Sequence, residues 1–106
     1  MRLQEISYEQ LIKEVIQILL KVKDNIKDNS DCIWTYYETS QLMHNEIDKY
    51  VLELEKDSTI FLDEICMHFS PTAAYQEHSM ANDWSNEYLK LAERFDKVYE
   101  AIKNYK

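Results

Sequence analysis

Glu64 and His68 stand one helical turn apart, and a carboxylate beside an imidazole is the pattern in this chain closest to acid–base or metal-binding chemistry. His44 and Glu46 lie elsewhere, nearly twenty residues upstream. A carboxylate-bridged di-metal site in a helical bundle requires a Glu-x-x-His pair on each of two helices plus two further glutamates. The single near match has the wrong separation, so the expectation is no metal and no cofactor, with the histidines at the solvent face or the core edge. Other catalytic arrangements fail on spacing as well. There is no HExxH and no serine in a nucleophile elbow, and a chain without any glycine cannot build a glycine-rich phosphate loop. Cys32 and Cys66 are too far apart for a CxxC pair or a zinc knuckle and read as reduced, part-buried thiols. The expectation is a protein that is not an enzyme.

Charge is more informative than any motif. Residues 31–80 hold Lys49 and Lys56 against ten acids, whereas the segments on either side are each balanced at five against five. The whole net charge of −8 therefore resides in that middle stretch. A surface of one sign attracts the opposite sign and speeds association by roughly 10–10³-fold, so the partner it suits is cationic.

The elements that must position these acids are helices. Tight turns with positive φ rely on glycine or asparagine, and β-rich domains need several of them, so the absence of glycine argues for an all-α chain. With 106 residues and a mass of 12.8 kDa the chain is read as one domain, 1–106. Folded alone it would bury about 65% of its unfolded surface, enough for one core. The start Met1-Arg2-Leu3-Gln4-Glu5 lacks the features of a secretory signal, and no apolar run approaches the ~18 residues of a membrane span; a cytoplasmic protein is expected.

Ser7 and Gln10 have capping-box spacing, with Ile6 and Leu11 at staple positions, and Tyr8, Leu11, Ile12, Val15, Leu19, Val22 and Ile26 continue as one stripe. Asp28 to Asp31 should end that helix and cap the next. A second helix is predicted from about Ile33 to Lys56, its seam formed by Ile33, Tyr36, Ser40, Met43, Ile47, Tyr50 and Leu54. Asp57-Ser58-Thr59 should recap the chain for a third helix carrying Ile60, Phe61, Leu62, Ile65 and Phe69. Ser70-Pro71 should open a short fourth one. Asn82-Asp83 should cap the last, whose Trp84, Tyr88, Leu91, Phe95, Val98, Ile102 and Tyr105 recur at fours and threes. The predicted architecture is an antiparallel helical bundle of three long helices plus one or two short ones.

On helix two the core seam lies opposite Glu38, leaving acids on both shoulders. One shoulder carries Glu46 and Glu53; the other carries Trp34, Tyr37, His44, Asp48 and Glu55. Carboxylates interleaved with aromatics suit a protein-binding face, the aromatics as anchors and the acids for steering. The candidate partner-binding residues are Trp34, Tyr37, Glu38, Glu46, Asp48, Glu53, Glu55, Asp63, Glu64 and Tyr75.

The stretch Phe69-Ser-Pro-Thr-Ala-Ala-Tyr75 and then Asn82-Asp-Trp84-Ser-Asn-Glu-Tyr88-Leu-Lys-Leu-Ala-Glu-Arg-Phe-Asp96 resembles the small acidic immunity proteins of contact-dependent growth-inhibition and nuclease-colicin systems. The resemblance spans about the last third of the chain and transfers no functional residue. It implies an antitoxin that neutralises a basic nuclease toxin domain, an RNase acting on tRNA, with no direct contact to nucleic acid or membrane. A monomer is expected. A nucleic-acid mimic that inhibits a DNA-binding enzyme, or an adaptor bundle with no toxin, are the readings from other classes; the confinement of charge to half of the chain disfavours the mimic.

Overall fold

The computed structural model describes residues 7–27, 40–56, 58–70 and 73–105. The described residues form an all-helical, compact chain with five helices and no strand: α1 (Tyr8–Asn25), α2 (Ser40–Glu55), α3 (Leu62–His68), α4 (Ala74–Ala81) and α5 (Ser85–Lys103). Among them no helix is long and apolar enough to cross a membrane.

The capping box at the start of α1 forms as its spacing predicts. Ser7 Oγ accepts the Gln10 N–H at 3.2 Å, and Gln10 Oε1 accepts the Ser7 N–H at 3.4 Å. Ile6, the other half of the expected staple, lies outside the described residues. The α1 stripe is buried from Leu11 to Ile26 and also includes Ile18. Ile18 follows Leu11 by seven residues and so sits only about 20° from it, widening the stripe on one side. A wide stripe is what α1 needs, because it packs against both α2 and α5. At its end, Lys23 Nζ lies 2.6 Å from Asp48 of α2, and the His44 ring contacts the Ile26 carbonyl. On the other flank Tyr8 meets Tyr105 with ring centroids 5.3 Å apart, and Arg94 pairs with Glu14. The start of α1 is thus beside the end of α5, and the end of α1 beside the start of α2.

Ser40, Met43, Ile47, Tyr50 and Leu54 are all buried, so the α2 seam reads as expected over its described part. Ile33 and Tyr36, and the expected link from Asp28 to Asp31, lie outside the described residues. The third helix is shorter than predicted. Ile60, expected in its apolar face, is 73% exposed and belongs to the turn closed by the Leu62 N–H on the Thr59 carbonyl. An apolar residue in a turn has no neighbouring helical rung to hold it against the core.

The prediction that Asn82-Asp83 caps α5 is corrected. Asn82 Nδ2 donates to the His78 carbonyl at 2.9 Å and the Trp84 N–H donates to the Ser79 carbonyl at 3.0 Å, so this pair closes α4. Asp83 has φ of 66°, the left-handed position that glycine usually takes after a helix. Without a glycine in the chain, an aspartate accepts it, since short polar side chains tolerate that region best. Trp84 precedes α5 without a side-chain cap bond and donates its indole N–H to His78 Nδ1 at 3.0 Å.

The seam of α5 is buried from Trp84 to Ile102, whereas Tyr105, the last predicted rung, is 45% exposed at the frayed end. Phe69, just after α3, stacks on Phe95 with centroids 4.6 Å apart. Tyr88 donates its hydroxyl to the Phe69 carbonyl at 2.9 Å, and burial pushes that hydroxyl up to about 12.

Phe95→Ala is expected to cost about 3–5 kcal/mol in urea unfolding, as large core truncations do. Leu89→Ala, on the exposed side of the same helix, should stay within about 0.5 kcal/mol. At the α4–α5 turn, Asp83→Gly should raise stability by up to about 1 kcal/mol, and Asp83→Val should lower it by about 1–2 kcal/mol. Equal midpoints for these two variants would be incompatible with the left-handed turn.

Candidate functional site

The richest polar cluster among the described residues is built around a tyrosine. Tyr50 sits on the buried seam of α2, and its hydroxyl reaches out between α2 and α3. Glu46 Oε1 lies 2.7 Å away, Glu64 Oε2 2.5 Å and His68 Nε2 2.9 Å. His68 Nε2 is also 2.9 Å from Glu46 Oε1. Two one-turn pairs, Glu46/Tyr50 on α2 and Glu64/His68 on α3, therefore face each other across one seam. The pairing of Glu64 and His68 was legible in sequence, but the prediction that Glu46 stands apart from them is corrected by this packing. His44 remains separate, on the side of α2 that faces α1.

Proton accounting shows how tightly the cluster is bound together. With both carboxylates ionised, one O–H of Tyr50 and one N–H of His68 must serve four close contacts. Burial, reinforced by hydrogen bonds to Glu64 and Glu46, holds the Tyr50 hydroxyl strongly above its ordinary value. Burial pulls the His68 imidazole below its ordinary value, against the opposing pull of Glu46 and Glu64. The buried imidazole is consequently favoured in its neutral form. Its ring lies between those of Tyr50, at 5.9 Å, and Tyr75, at 5.1 Å.

An open cleft of about 550 Å³ adjoins the cluster, lined by Glu46, Lys49, Glu64, Met67, His68 and Ala73. Lys49 Nζ stands 4.7 Å from the centre of the Phe61 ring and 5.6 Å from that of Tyr50. It makes a cation–π contact with the aromatic wall rather than an ion pair with the described acids. Long side chains join α2 to α3 here, and the cleft lies open beside them.

The predicted binding residues divide into groups. Glu46 and Glu64 come together at the cluster, and Glu53, seven residues beyond Glu46, extends the same side of α2. Asp48 is on the opposite shoulder, paired with Lys23, and Glu55 borders a groove shared with Glu9 and Lys13 of α1. Asp63 is exposed on α3, where the Tyr99 hydroxyl at 2.5 Å and then Lys103 at 3.0 Å hold its carboxyl below the usual range. Trp34, Tyr37 and Glu38 lie outside the described residues. Tyr75 is corrected: it is 1% exposed, packed on His68 and Phe69, because α4 folds it inward against α3 and the end of that helix. It supports the cluster from beneath and presents nothing to a partner. Tyr50, read from its seam spacing as an ordinary core-edge residue, was the residue missed. The signal for it was a glutamate one turn before a seam tyrosine, matched by a glutamate one turn before a histidine.

Comparison with known protein families, curated proteins and solved structures finds no match to this chain.

Tyr50→Phe removes the shared donor and leaves two carboxylates facing each other; it is expected to cost about 1–3 kcal/mol. Adding Glu64→Gln should offset part of that loss, so the double variant should be more stable than the sum of the single effects predicts. Strict additivity in chemical unfolding would show that the four groups do not act as one cluster.

Proposed function

We propose that the protein is an immunity-type inhibitor that covers the positively charged substrate cleft of a cognate nuclease toxin, an RNase acting on tRNA, in the cytoplasm and without catalysis of its own. The observation that carries this reading is the confinement of the entire charge surplus to residues 31–80, the stretch that contains α2 and α3. A nuclease cleft must attract phosphate, so carboxylates placed where phosphates would lie meet a potential that already exists. Colicin nuclease–immunity pairs are among the tightest complexes known.

The side of α2 nearest α3 is the better candidate for the contact face. Glu46, Glu53 and Glu64 share it, whereas Asp48 on the other shoulder is already neutralised by Lys23. The scaffold is read as an antiparallel bundle of the three longer helices, α1, α2 and α5, with α3 and α4 as the short additions. Trp34 and Tyr37, which their spacing assigns to the Asp48 shoulder, are proposed as aromatic anchors at the edge of the contact, with Glu38 as an added acid.

Tagged protein used as bait in the source cell's lysate at about 0.15 M salt should retain one basic nuclease, whose activity on tRNA the pure protein abolishes. Recovery of a DNA-binding enzyme would replace this reading with the nucleic-acid mimic, and recovery of nothing specific would overturn it. With the nuclease in hand, Glu53→Lys should slow association several-fold at low salt, and Tyr37→Ala should mainly speed dissociation.

A further inference from the structure

His78 is 0% exposed and fastens the turn between α4 and α5 at three points. Its ring Nδ1 accepts the Trp84 indole N–H at 3.0 Å, and its carbonyl accepts both the backbone N–H of Asn82 at 3.1 Å and the Asn82 side chain at 2.9 Å. Between the two residues it holds, Asp83 reverses the chain in the left-handed conformation. We propose that His78 and Trp84 form an acid-sensitive latch on the α4–α5 turn, in which the neutral imidazole holds Trp84 and protonation of that ring releases the turn.

The chemistry of the bond fixes where the proton sits. An indole N–H can only donate, so Nδ1 must present its lone pair and the ring proton belongs to Nε2. A proton added at Nδ1 would set two N–H groups against each other and leave a charge in a fully buried position. Turning the imidazole over would put a carbon where Nδ1 stands, so the bond to Trp84 is lost either way. Trp84 is itself buried between the rings of His78, at 5.7 Å, and Tyr88, at 6.2 Å.

α4 packs against α5 and α3, and the titratable groups on the buried faces that meet there are two phenols and a second imidazole. Tyr75 lies one turn earlier on α4, Tyr88 of α5 packs on Trp84, and His68 of α3 packs on Tyr75. The phenols are uncharged in acid, Tyr88 with its hydroxyl pushed up to about 12 by burial, and burial pulls His68 below its ordinary value. Of the described carboxylates nearby in the chain, Glu77 points about 100° around α4 from His78, and Asp83 and Glu87 are exposed. An open turn lets the imidazole take up a proton at its ordinary value of about 6.5. The open form then binds more protons than the closed one, so closure is fully present above that pH and weakens as pH falls, about tenfold per pH unit while the closed form stays neutral. The latch is independent of the inhibitor reading and needs no partner.

Nitrogen spectra of the full chain with ¹⁵N-labelled histidines, recorded from pH 7.5 to 5, test the latch without any substitution. The folded His78 ring is expected to keep its proton on Nε2 and its lone pair on Nδ1, with no titration centred near 6.5. Urea titrations followed at the Trp84 indole resonance then read the opening of the turn. His78→Asn sets a carbonyl oxygen near the place of Nδ1 and cannot be charged. Between pH 6 and pH 5 the opening constant of the wild type should rise about tenfold more than that of this variant, provided the variant keeps its helical circular dichroism. A folded His78 that titrates near 6.5 with Trp84 still bonded, a proton found on Nδ1, or equal acid dependence in wild type and His78→Asn would each overturn the latch.

Discussion

The apolar stripe of α1 is the feature on which the rest of the structure depends. It faces α2 on one flank and α5 on the other, so Leu11, Ile12, Val15, Ile18, Leu19 and Val22 must cover a broader arc than a two-helix seam requires. Burial of each such side chain contributes about 1.5–3 kcal/mol relative to exposure, and here two helices share that burial through one element. α5 in turn carries α3 and α4 against its own seam, where Phe69 stacks on Phe95 and Tyr88 anchors the Phe69 carbonyl. α3 therefore packs on α5 and α4 and meets α2 through long side chains.

The polar cluster forms where α2 and α3 meet. Tyr50, Glu46, Glu64 and His68 join the two helices there. Two carboxylates beside a buried phenol and a buried imidazole are unfavourable unless each contact is hydrogen-bonded or a cation is shared. The arrangement therefore couples local charge to the relative position of two helices. Tyr75 and Phe61 pack around it, which ties α4 and the turn before α3 to the same point.

Charge elsewhere follows a different logic. Asp48, Asp63 and Glu14 each meet a lysine or arginine from another helix, so these acids act between helices as much as toward solvent. Exposed pairs of this kind contribute little individually, about 0–1 kcal/mol. Their larger effect is to divide the acidic surplus, leaving the α2–α3 side with Glu46, Glu53 and Glu64 as the concentrated patch. The Lys56 side chain, 3.8 Å from Glu53, is a loose neighbour on that side.

The periodic placement of apolar residues determined helix type, and the stripes of α1, α2 and α5 were legible because each is a local, 3.6-residue repetition that needs no knowledge of its partner. The Ser7–Gln10 capping box was legible for the same reason, since both groups belong to one turn. Three features depended on tertiary structure. Ile60 lost its expected burial because a turn, not a helix, holds it; Asn82 and Asp83 ended α4 instead of starting α5 because the left-handed backbone at Asp83 redirects the chain. Glu46 joined Glu64 and His68 because tertiary packing brings α3 beside α2. Spacing along a chain fixes what shares a helical face, but which faces meet is decided by packing among residues far apart in sequence, and that is where the four groups of the cluster find one another.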